Sequence, residues 1–192
     1  MGGCVQSKQT QSQHSHKDGK DTKKSSIAEA VTEKGVSVHH LRTTFLKDVI
    51  EAGYTVSSNI YDLEDLGSKE NGFIRKKGEN MKDPYDGSKM GASYVDCLTG
   101  KDNVGQANVM LSYSWAYSIG DIVDTLADHC KTRKQDPKRT YVWICCLCIN
   151  QHRVVEKKDA EIDDDKNFHD FHKTFYDRVT GVGEIISMMY PW

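Results

Sequence analysis

Apolar residues follow their clearest pattern in the C-terminal part of the chain, where three segments have the length of strands. Residues 107–114 contain a short apolar run that ends in polar side chains, and residues 184–190 form a similar run. Residues 139–149 form an almost unbroken apolar stretch, which is typical of a central parallel strand covered on both faces. The pattern therefore predicts three strands in this region.

Residues with helical spacing lie between these predicted strands. Ser118 and Asp121 have the spacing of a capping box, which favours the start of a helix. The apolar residues of this helix recur on one face: Ile119, Ile122, Val123, Leu126 and Cys130. A second helix is predicted from the acidic residues 163–165 to Gly181. The alternation of strands and helices predicts an α/β fold with a doubly wound parallel sheet and right-handed crossovers.

The N-terminal half carries weaker signals for two helices. Ser26 and Glu29 predict the start of a short helix that ends at Gly35. Ser37 and Gly53 bound a longer helix. Its apolar face contains Val38, Leu41, Phe45 and Val49, and Leu46 and Ile50 widen that face.

Residues 54–106 contain many glycines and turn signals, so we expect an irregular extension. Short extended pieces are predicted at residues 73–75 and 93–98. The predicted organisation has four parts: a disordered tail at 1–25, a helical extension at 26–53, the irregular extension at 54–106 and an incomplete domain at 107–192.

Composition narrows the classes of function. The 192 residues favour one compact domain with extensions. A formal net charge of −2, with both signs interspersed, lacks the basic footprint of nucleic-acid-binding proteins, so no nucleic acid is expected as a partner. No segment reaches the roughly 20 apolar residues that span a bilayer, and none resembles a secretory signal. We therefore expect a cytoplasmic protein whose six cysteines are reduced thiols.

The first residues, Met-Gly-Gly-Cys, resemble the dual-acylation leader of membrane-tethered kinases and calcium-regulated enzymes. Gly2 is placed for myristoylation and Cys4 for palmitoylation, although Gln6 stands where the pattern usually has Ser or Thr. A single myristoyl chain binds membranes marginally, and Cys4 and the lysines of the tail supply the second signal. The alternative is a polar tail without lipid. The leader predicts a peripheral protein at the cytosolic face of a membrane.

Two of the predicted strand ends carry polar and aromatic side chains. The first strand ends in Ser112, Tyr113, Ser114 and Trp115, and the second runs from Trp143 through Cys148 to Asn150 and Gln151. Ligands of open parallel sheets bind at the carboxyl ends of the strands. Any site of this protein is expected at that edge.

These residues resemble two related families, the TIR signalling domain and the fungal heterokaryon-incompatibility (HET) domain. Members of both have a strand that ends in Ser-Tyr-x-Trp and a later strand that ends in Trp-Ile-x-x-x-Cys-Ile-Asn-Gln, to which residues 111–115 and 143–151 are similar. The resemblance covers residues 107–192 and implies an incomplete, flavodoxin-like sheet of the TIR type. Cys145 stands where HET sequences usually carry Asp.

The resemblance also implies two sets of site residues. Residues after the first strand would face a nucleotide, with NAD as the candidate cofactor: Ser112, Tyr113, Ser114 and Trp115. The alternative is that Trp115 packs over the edge of the sheet and the serines cap strand ends. Residues after the second strand would form the mobile loop that TIR domains use for assembly: Asn150, Gln151 and His152.

NAD-cleaving TIR domains use a glutamate on the helix after the third strand. No residue of this sequence matches it, because Glu184 begins the third predicted strand. That carboxylate stabilises positive charge on the ribose as nicotinamide leaves. We therefore expect no hydrolysis of NAD by this chain, and its catalytic residues stay unknown.

The cysteines of the second predicted strand could suggest a metal or redox site. On a strand, Cys146 and Cys148 point to one face and Cys145 to the other, so the thiols do not converge and no metal is expected. Buried cysteines usually behave as small apolar residues.

Three functions remain open at this point. The first is a membrane-tethered TIR/HET-like signalling module that associates with itself or with other domains of this type. The second is a fragment of an NAD-hydrolysing enzyme whose catalytic glutamate lies beyond the C-terminus. The third, and weakest, is a lipid-anchored metal or redox sensor that uses the cysteines.

Overall fold

The structure, a computed structural model, describes residues 34–64, 70–159, 176 and 181–189. The expected lipidation residues Gly2 and Cys4 lie outside the described residues. So do residues 26–33 of the first predicted helix and most of the helix predicted between residues 163 and 181.

Strands and short helices alternate along the described chain. The strands are β1 Lys34–Ser37, β2 Val104–Gln106, β3 Val109–Ser112, β4 Tyr141–Trp143 and β5 Glu184–Ser187. The α-helices are α1 Val38–His40, α2 Leu46–Glu51, α3 Ile60–Leu63, α4 Phe73–Gly78, α5 Ile119–Arg133, α6 Cys145–Cys148 and α7 Gln151–Asp159. A π-helical turn, Leu41–Phe45, joins α1 to α2, and a 3-10 turn, Val95–Cys97, precedes β2.

The strands form one mixed sheet with the order β2-β1-β4-β3-β5. Strand β3 is parallel to β4, with Val109 opposite Val142, and parallel to β5 on its other side. These three strands come from the three predicted segments. Strand β1 is antiparallel to both β2 and β4. The chain therefore has an α/β fold. The parallel pairing predicted for the three C-terminal strands is confirmed, but the sheet as a whole is mixed, because β1 and β2 add to it in antiparallel orientation.

The antiparallel strands come from residues that were assigned to the extensions. Gly35, which we expected to end a helix, lies in β1 opposite Gly105 of β2. A Cβ atom on Gly105 would lie 2.5 Å from the ring of Tyr141, so the bare backbone is what lets that ring lie against the strand. Residues on both sides of the predicted boundaries at 53 and 106 thus contribute strands to the same sheet.

The second predicted strand is shorter than expected. It ends at Trp143, and the next residues form the helical turn α6 instead of continuing to Ile149. The third ends at Ser187 rather than Tyr190. Residues 73–78 and 95–97 are helical where short extended pieces were predicted.

The core lies between the sheet and the helices that pack on it. Most residues of the apolar faces predicted for the two amphipathic helices are confirmed as buried: Val38, Leu41, Phe45, Val49, Ile119, Ile122, Val123, Leu126 and Cys130. Leu46 is half-buried and Ile50 is exposed, so the predicted face is wrong at Ile50. Ser118 caps α5, since its Oγ accepts the amide of Asp121 at 3.0 Å, as the capping spacing predicts. The N-terminal helices contact α5 and so join the first half of the chain to the parallel strands.

Candidate functional site

The carboxyl ends of β3 and β4 meet at one edge of the sheet, because the two strands are adjacent and parallel. We call this edge the rim; it comprises residues 112–115 at the end of β3 and residues 144–153 after β4. The hydroxyl of Tyr113 lies 3.5 Å from Sγ of Cys145 across the rim. The structure therefore brings together the ends of the two motif-bearing strands.

Tyr113 is the residue of the first motif that faces the second. Burial raises the pKa of its phenol above the ordinary value, and the neighbouring thiols of Cys146 and Cys145 act in the same direction. The phenol stays neutral near pH 7 and acts as a hydrogen-bonding group. It is partly buried against the apolar core, so its role at the rim is to hold the turn at Cys145.

The two serines beside Tyr113 have different internal contacts: Ser112 belongs to β3, and Ser114 belongs to the turn that follows. The carbonyl of Ser112 accepts the amide of Met188 at 2.9 Å, which continues the pairing of β3 with β5. Oγ of Ser114 accepts the amide of Ala116 at 3.2 Å, and its carbonyl accepts the amide of Tyr117 at 3.1 Å. Ser114 is exposed, so its hydroxyl can also donate a hydrogen bond outward.

Trp115 is half-buried and packs on the chain's own residues. Its ring lies 5.5 Å from the ring of Tyr61, tilted by 59°. Its carbonyl accepts the amide of Ile60 at 3.1 Å, which ties α3 to the rim. These contacts correspond to the structural alternative for Trp115, in which the indole packs over the sheet edge.

The N-terminus of α5 is where an α/β fold of this kind would offer free amides to a phosphate group. Here the amide of Ile119 donates to the carbonyl of Ser58 and the amide of Gly120 to that of Val56, both at 2.8 Å. The amide of Asp121 donates to the cap Ser118. Because residues 56–59 occupy these donors, a nucleotide phosphate would have to displace them.

The loop after β4 is hydrogen-bonded to residues 83 and 91, which are far from it in the sequence. Nδ2 of Asn150 donates to the carbonyl of Gly91 at 2.8 Å and to Oδ2 of Asp83 at 3.1 Å. Nε2 of the buried Gln151 donates to the carbonyl of Cys145 at 3.3 Å. Asn150 and Gln151 were expected in a mobile assembly loop. In the structure their side-chain amide groups form hydrogen bonds within the chain.

His152 completes this attachment. Its Nε2 lies 3.0 Å from the carbonyl of Arg75, so that nitrogen carries the proton that the carbonyl accepts. A Cβ atom on Gly91 would lie 2.6 Å from the imidazole, and Gly91 has a φ of +97°, so both sterics and backbone favour glycine there. Burial lowers the pKa of His152, which keeps the ring neutral near pH 7.

Two arginines near the rim, Arg153 and Arg75, make ionic contacts that the sequence did not predict. Arg153 reaches Asp83 at 3.2 Å and Glu156 at 2.6 Å, and its guanidinium also donates to the carbonyl of Met90. The only local hint that Arg153 belongs to the site is its position directly after Asn150, Gln151 and His152. We call residues 81–91, which Asn150 and Arg153 hold in place, the hairpin; Lys82 and Met90 pair across it.

The second missed contact is a buried ion pair. Nε of Arg75 lies 2.6 Å from Oε2 of Glu64, and the amide of Arg75 donates to Oε1 at 2.5 Å. The two side chains are 4% and 0% exposed. The pair joins Glu64 to Arg75, and the carbonyl of Arg75 also accepts the hydrogen bond from His152. No local pattern in the sequence marks it.

Other site classes can be judged from the same geometry. Within residues 34–64, 70–159, 176 and 181–189, no group of three His, Cys, Asp or Glu side chains is arranged to hold a metal ion. Glu184 begins β5 at the amino end of the parallel strands, away from the rim, where it pairs with Arg133 at 3.1 Å. No helix of the described residues is long and apolar enough to cross a membrane.

Comparison of the chain with protein-family models, with curated proteins and with solved structures finds no match in any of the three.

Proposed function

We propose that this chain is a signalling or assembly module of the TIR/HET-like type, held at the cytosolic face of a membrane by its N-terminal leader. It works by associating with itself or with other domains of this type. In this proposal β3, β4 and β5 are the first, second and third strands, in chain order, of an incomplete flavodoxin-like sheet.

The observation that carries the proposal is the meeting of the two motif ends at the rim. Val109 pairs with Val142 and Met110 with Trp143 in parallel register, and Tyr113 then contacts Cys145. A resemblance to a family's two motifs is better supported when the two segments that carry it are also neighbours in space. This placement supports kinship of the site, while the resemblance itself comes from the sequence.

The contacts at the rim favour a binding role over turnover of a nucleotide. The amides that open α5 are already bonded to residues 56–59, and Trp115 packs on Tyr61. The polar groups of Asn150 and His152 are bonded to the hairpin and to Arg75. Such a rim presents a shaped, preorganised surface rather than a set of free polar groups around a vacant cleft.

The hairpin offers the apolar area that association requires. Met81, Tyr85 and Met90 are 41%, 50% and 53% exposed, and all three lie within this one short segment. Single exposed apolar side chains are ordinary on protein surfaces, whereas several together mark contact sites. Arg153 and Asn150 hold the hairpin against the rim, so a partner bound to the hairpin would also contact the rim.

Self-association can be tested on the full chain, produced with N-myristoyltransferase and placed on vesicles of mixed neutral and anionic lipid. We expect oligomers whose fraction rises with surface density. The double substitution Met81→Glu and Met90→Glu should weaken association by roughly ten-fold or more, because it places charge in the contact. Ile50→Glu, at an exposed apolar residue of α2, is the matched control and should leave association unchanged.

A chain that stays monomeric at every density, with or without vesicles, would contradict the assembly function. Equal loss of association in the hairpin variant and in the Ile50→Glu control would contradict the placement of the contact.

The tether needs a separate experiment in cells. Gly2→Ala should move the protein from the membrane fraction to the soluble fraction, since myristoylation requires that glycine. Cys4→Ser should give partial release, because one acyl chain alone binds marginally. Gly3→Ala is the matched control. An unchanged membrane fraction in Gly2→Ala would remove the leader from the proposal.

Incubation with NAD checks the enzymatic alternative. We expect no release of nicotinamide above the rate given by the heat-unfolded chain. Turnover by the folded chain would contradict a purely associative function.

A further inference from the structure

The cysteines of the rim lie on a helical turn, which changes how their thiols are arranged. The expected strand would have placed Cys145 opposite Cys146 and Cys148. The structure has α6 at residues 145–148, so each residue turns by about 100° relative to the one before. The relevant spacing is now three residues.

Helix geometry separates one cysteine pair from the others. Residues i and i+3 of an α-helix have Cα atoms about 5 Å apart, as follows from the rise and radius of the helix. That distance is inside the range of roughly 4.4–6.8 Å that disulfides span. Residues one or two apart do not face each other on a helix. Of the three thiols, Cys145 and Cys148 are therefore the pair that can be bridged.

The sulfur positions agree with this pairing. Sγ of Cys148 lies 3.4 Å from the amide of Ile144, which precedes Cys145, so the thiol leans back over the start of the turn. Sγ of Cys145 lies 3.5 Å from the hydroxyl of Tyr113 in a part-buried contact. Both cysteines are half-buried and accessible, whereas Cys146 between them is fully buried.

The other described cysteines are less suited to exchange. Burial raises the pKa of Cys146 well above its ordinary value, and burial also raises that of Cys97. A raised pKa reduces the thiolate fraction, and the thiolate is the form that attacks a disulfide. Cys130 is buried in the core on α5. These residues provide internal controls.

We propose that Cys145 and Cys148 form a reversible intramolecular disulfide by exchange with a low-molecular-weight disulfide such as oxidised glutathione. One protein thiolate attacks a glutathione sulfur, and one reduced glutathione leaves. The second protein thiolate then attacks the protein sulfur of the mixed disulfide, and the second glutathione leaves. The two protons of the protein thiols go to the two glutathione thiolates. The protein is oxidised by two electrons and the glutathione disulfide is reduced.

Closure of this bond alters the rim. Sγ of Cys145 must turn from Tyr113 toward Cys148, and Sγ of Cys148 must release the amide of Ile144. The carbonyl of Cys145 is held by Gln151, so the change reaches the loop after β4. That oxidation regulates assembly rests on the proposed function, whereas formation of the disulfide does not.

The test uses the full chain in glutathione buffers of increasing oxidised-to-reduced ratio. After acid quench, denaturation and alkylation, the tryptic peptide of residues 140–153 carries the three cysteines of α6. We expect it to lose two of its three labels together as the ratio rises, with the remaining label on Cys146. Peptides that contain Cys97 and Cys130 should keep theirs.

Variants separate the specific bond from general oxidation. Cys148→Ser and Cys145→Ser should each stop at a mixed disulfide with glutathione, and Cys97→Ser should oxidise as the unmodified chain does. Three labels retained in oxidised glutathione alone would overturn the proposal. So would a second label lost in Cys148→Ser, because the bond would then involve Cys146.

A vesicle-association measurement of the oxidised and reduced chain addresses regulation. If the bond forms but association is the same in both states, the disulfide stands and its link to the proposed function fails.

Discussion

Arg75→Met removes the guanidinium that faces the buried carboxylate of Glu64. The substitution keeps the length and apolar stem of the side chain, so little packing is lost. It breaks the contact of 2.6 Å between Nε and Oε2 and leaves the amide of Arg75 as a donor to Oε1. With side chains 4% and 0% exposed, the carboxylate cannot turn to water. The variant therefore isolates a buried charge.

The expected loss follows from the burial of the pair. Removing one partner of a buried ion pair costs about 3–5 kcal/mol, because the other charge stays uncompensated. For a chain of 150–250 residues each kcal/mol shifts Tm by roughly 2–4 °C, so the loss should be roughly 6–20 °C. Lys89→Met breaks the pair with Glu156, whose side chains are 47% and 49% exposed, and should cost about 1 kcal/mol or less.

Urea unfolding followed by circular dichroism measures both variants. Because Arg75→Met could fail to fold, the double variant Glu64→Gln with Arg75→Met is needed too. It removes the isolated charge and should be more stable than Arg75→Met alone. A free energy of unfolding for Arg75→Met within about 1 kcal/mol of the parent chain would show that Arg75 and Glu64 do not form a buried ion pair. A double variant less stable than the single one would show the same.

Three further predictions concern the same region and its scaffold. Burial lowers the pKa of His40 and of His152 below 6.5, so below about pH 7 the unfolded chain binds protons that the folded chain does not. The free energy of unfolding should therefore fall as pH drops from 7.5 through 6.5. The double variant His40→Gln with His152→Gln should flatten that slope when urea unfolding is measured at each pH. Asn150→Ala removes two hydrogen bonds to the hairpin and should cost about 1–3 kcal/mol with faster amide exchange at residues 83–91, whereas unchanged exchange there would contradict the attachment. Ser118→Ala removes the cap of α5 and should cost about 0.5–2 kcal/mol in thermal unfolding, with exposed Ser114→Ala as the near-neutral control.

Local sequence signals were sufficient to predict most of the strands and the helix α5 in the described C-terminal half. The cap at Ser118 and the apolar spacing after it mark α5, because both depend on residues within a few turns of one another. The apolar runs located β3, β4 and β5 for the same reason. The parallel pairing of β3 with β4 follows from the helix between them, which forms a crossover.

Long-range contacts account for what was missed. Gly35 has the local character of a helix end, and only its pairing with Gly105 across the sheet makes it a strand residue. Cys145 and Cys148 follow a strand-favouring run, yet the chain turns once it passes the register shared with β3. Asn150 contacts Asp83 and Gly91, which lie 67 and 59 residues away, so its motif could indicate importance but not the partner.

Solution NMR on the full chain can show whether the ends of β3 and β4 meet at one rim. We expect interstrand nuclear Overhauser effects in parallel register between Val109 and Val142, and effects from the Tyr113 ring to the Cβ protons of Cys145. Interstrand effects in antiparallel order, or a Tyr113 ring with no effect to residues 145–146, would contradict the account.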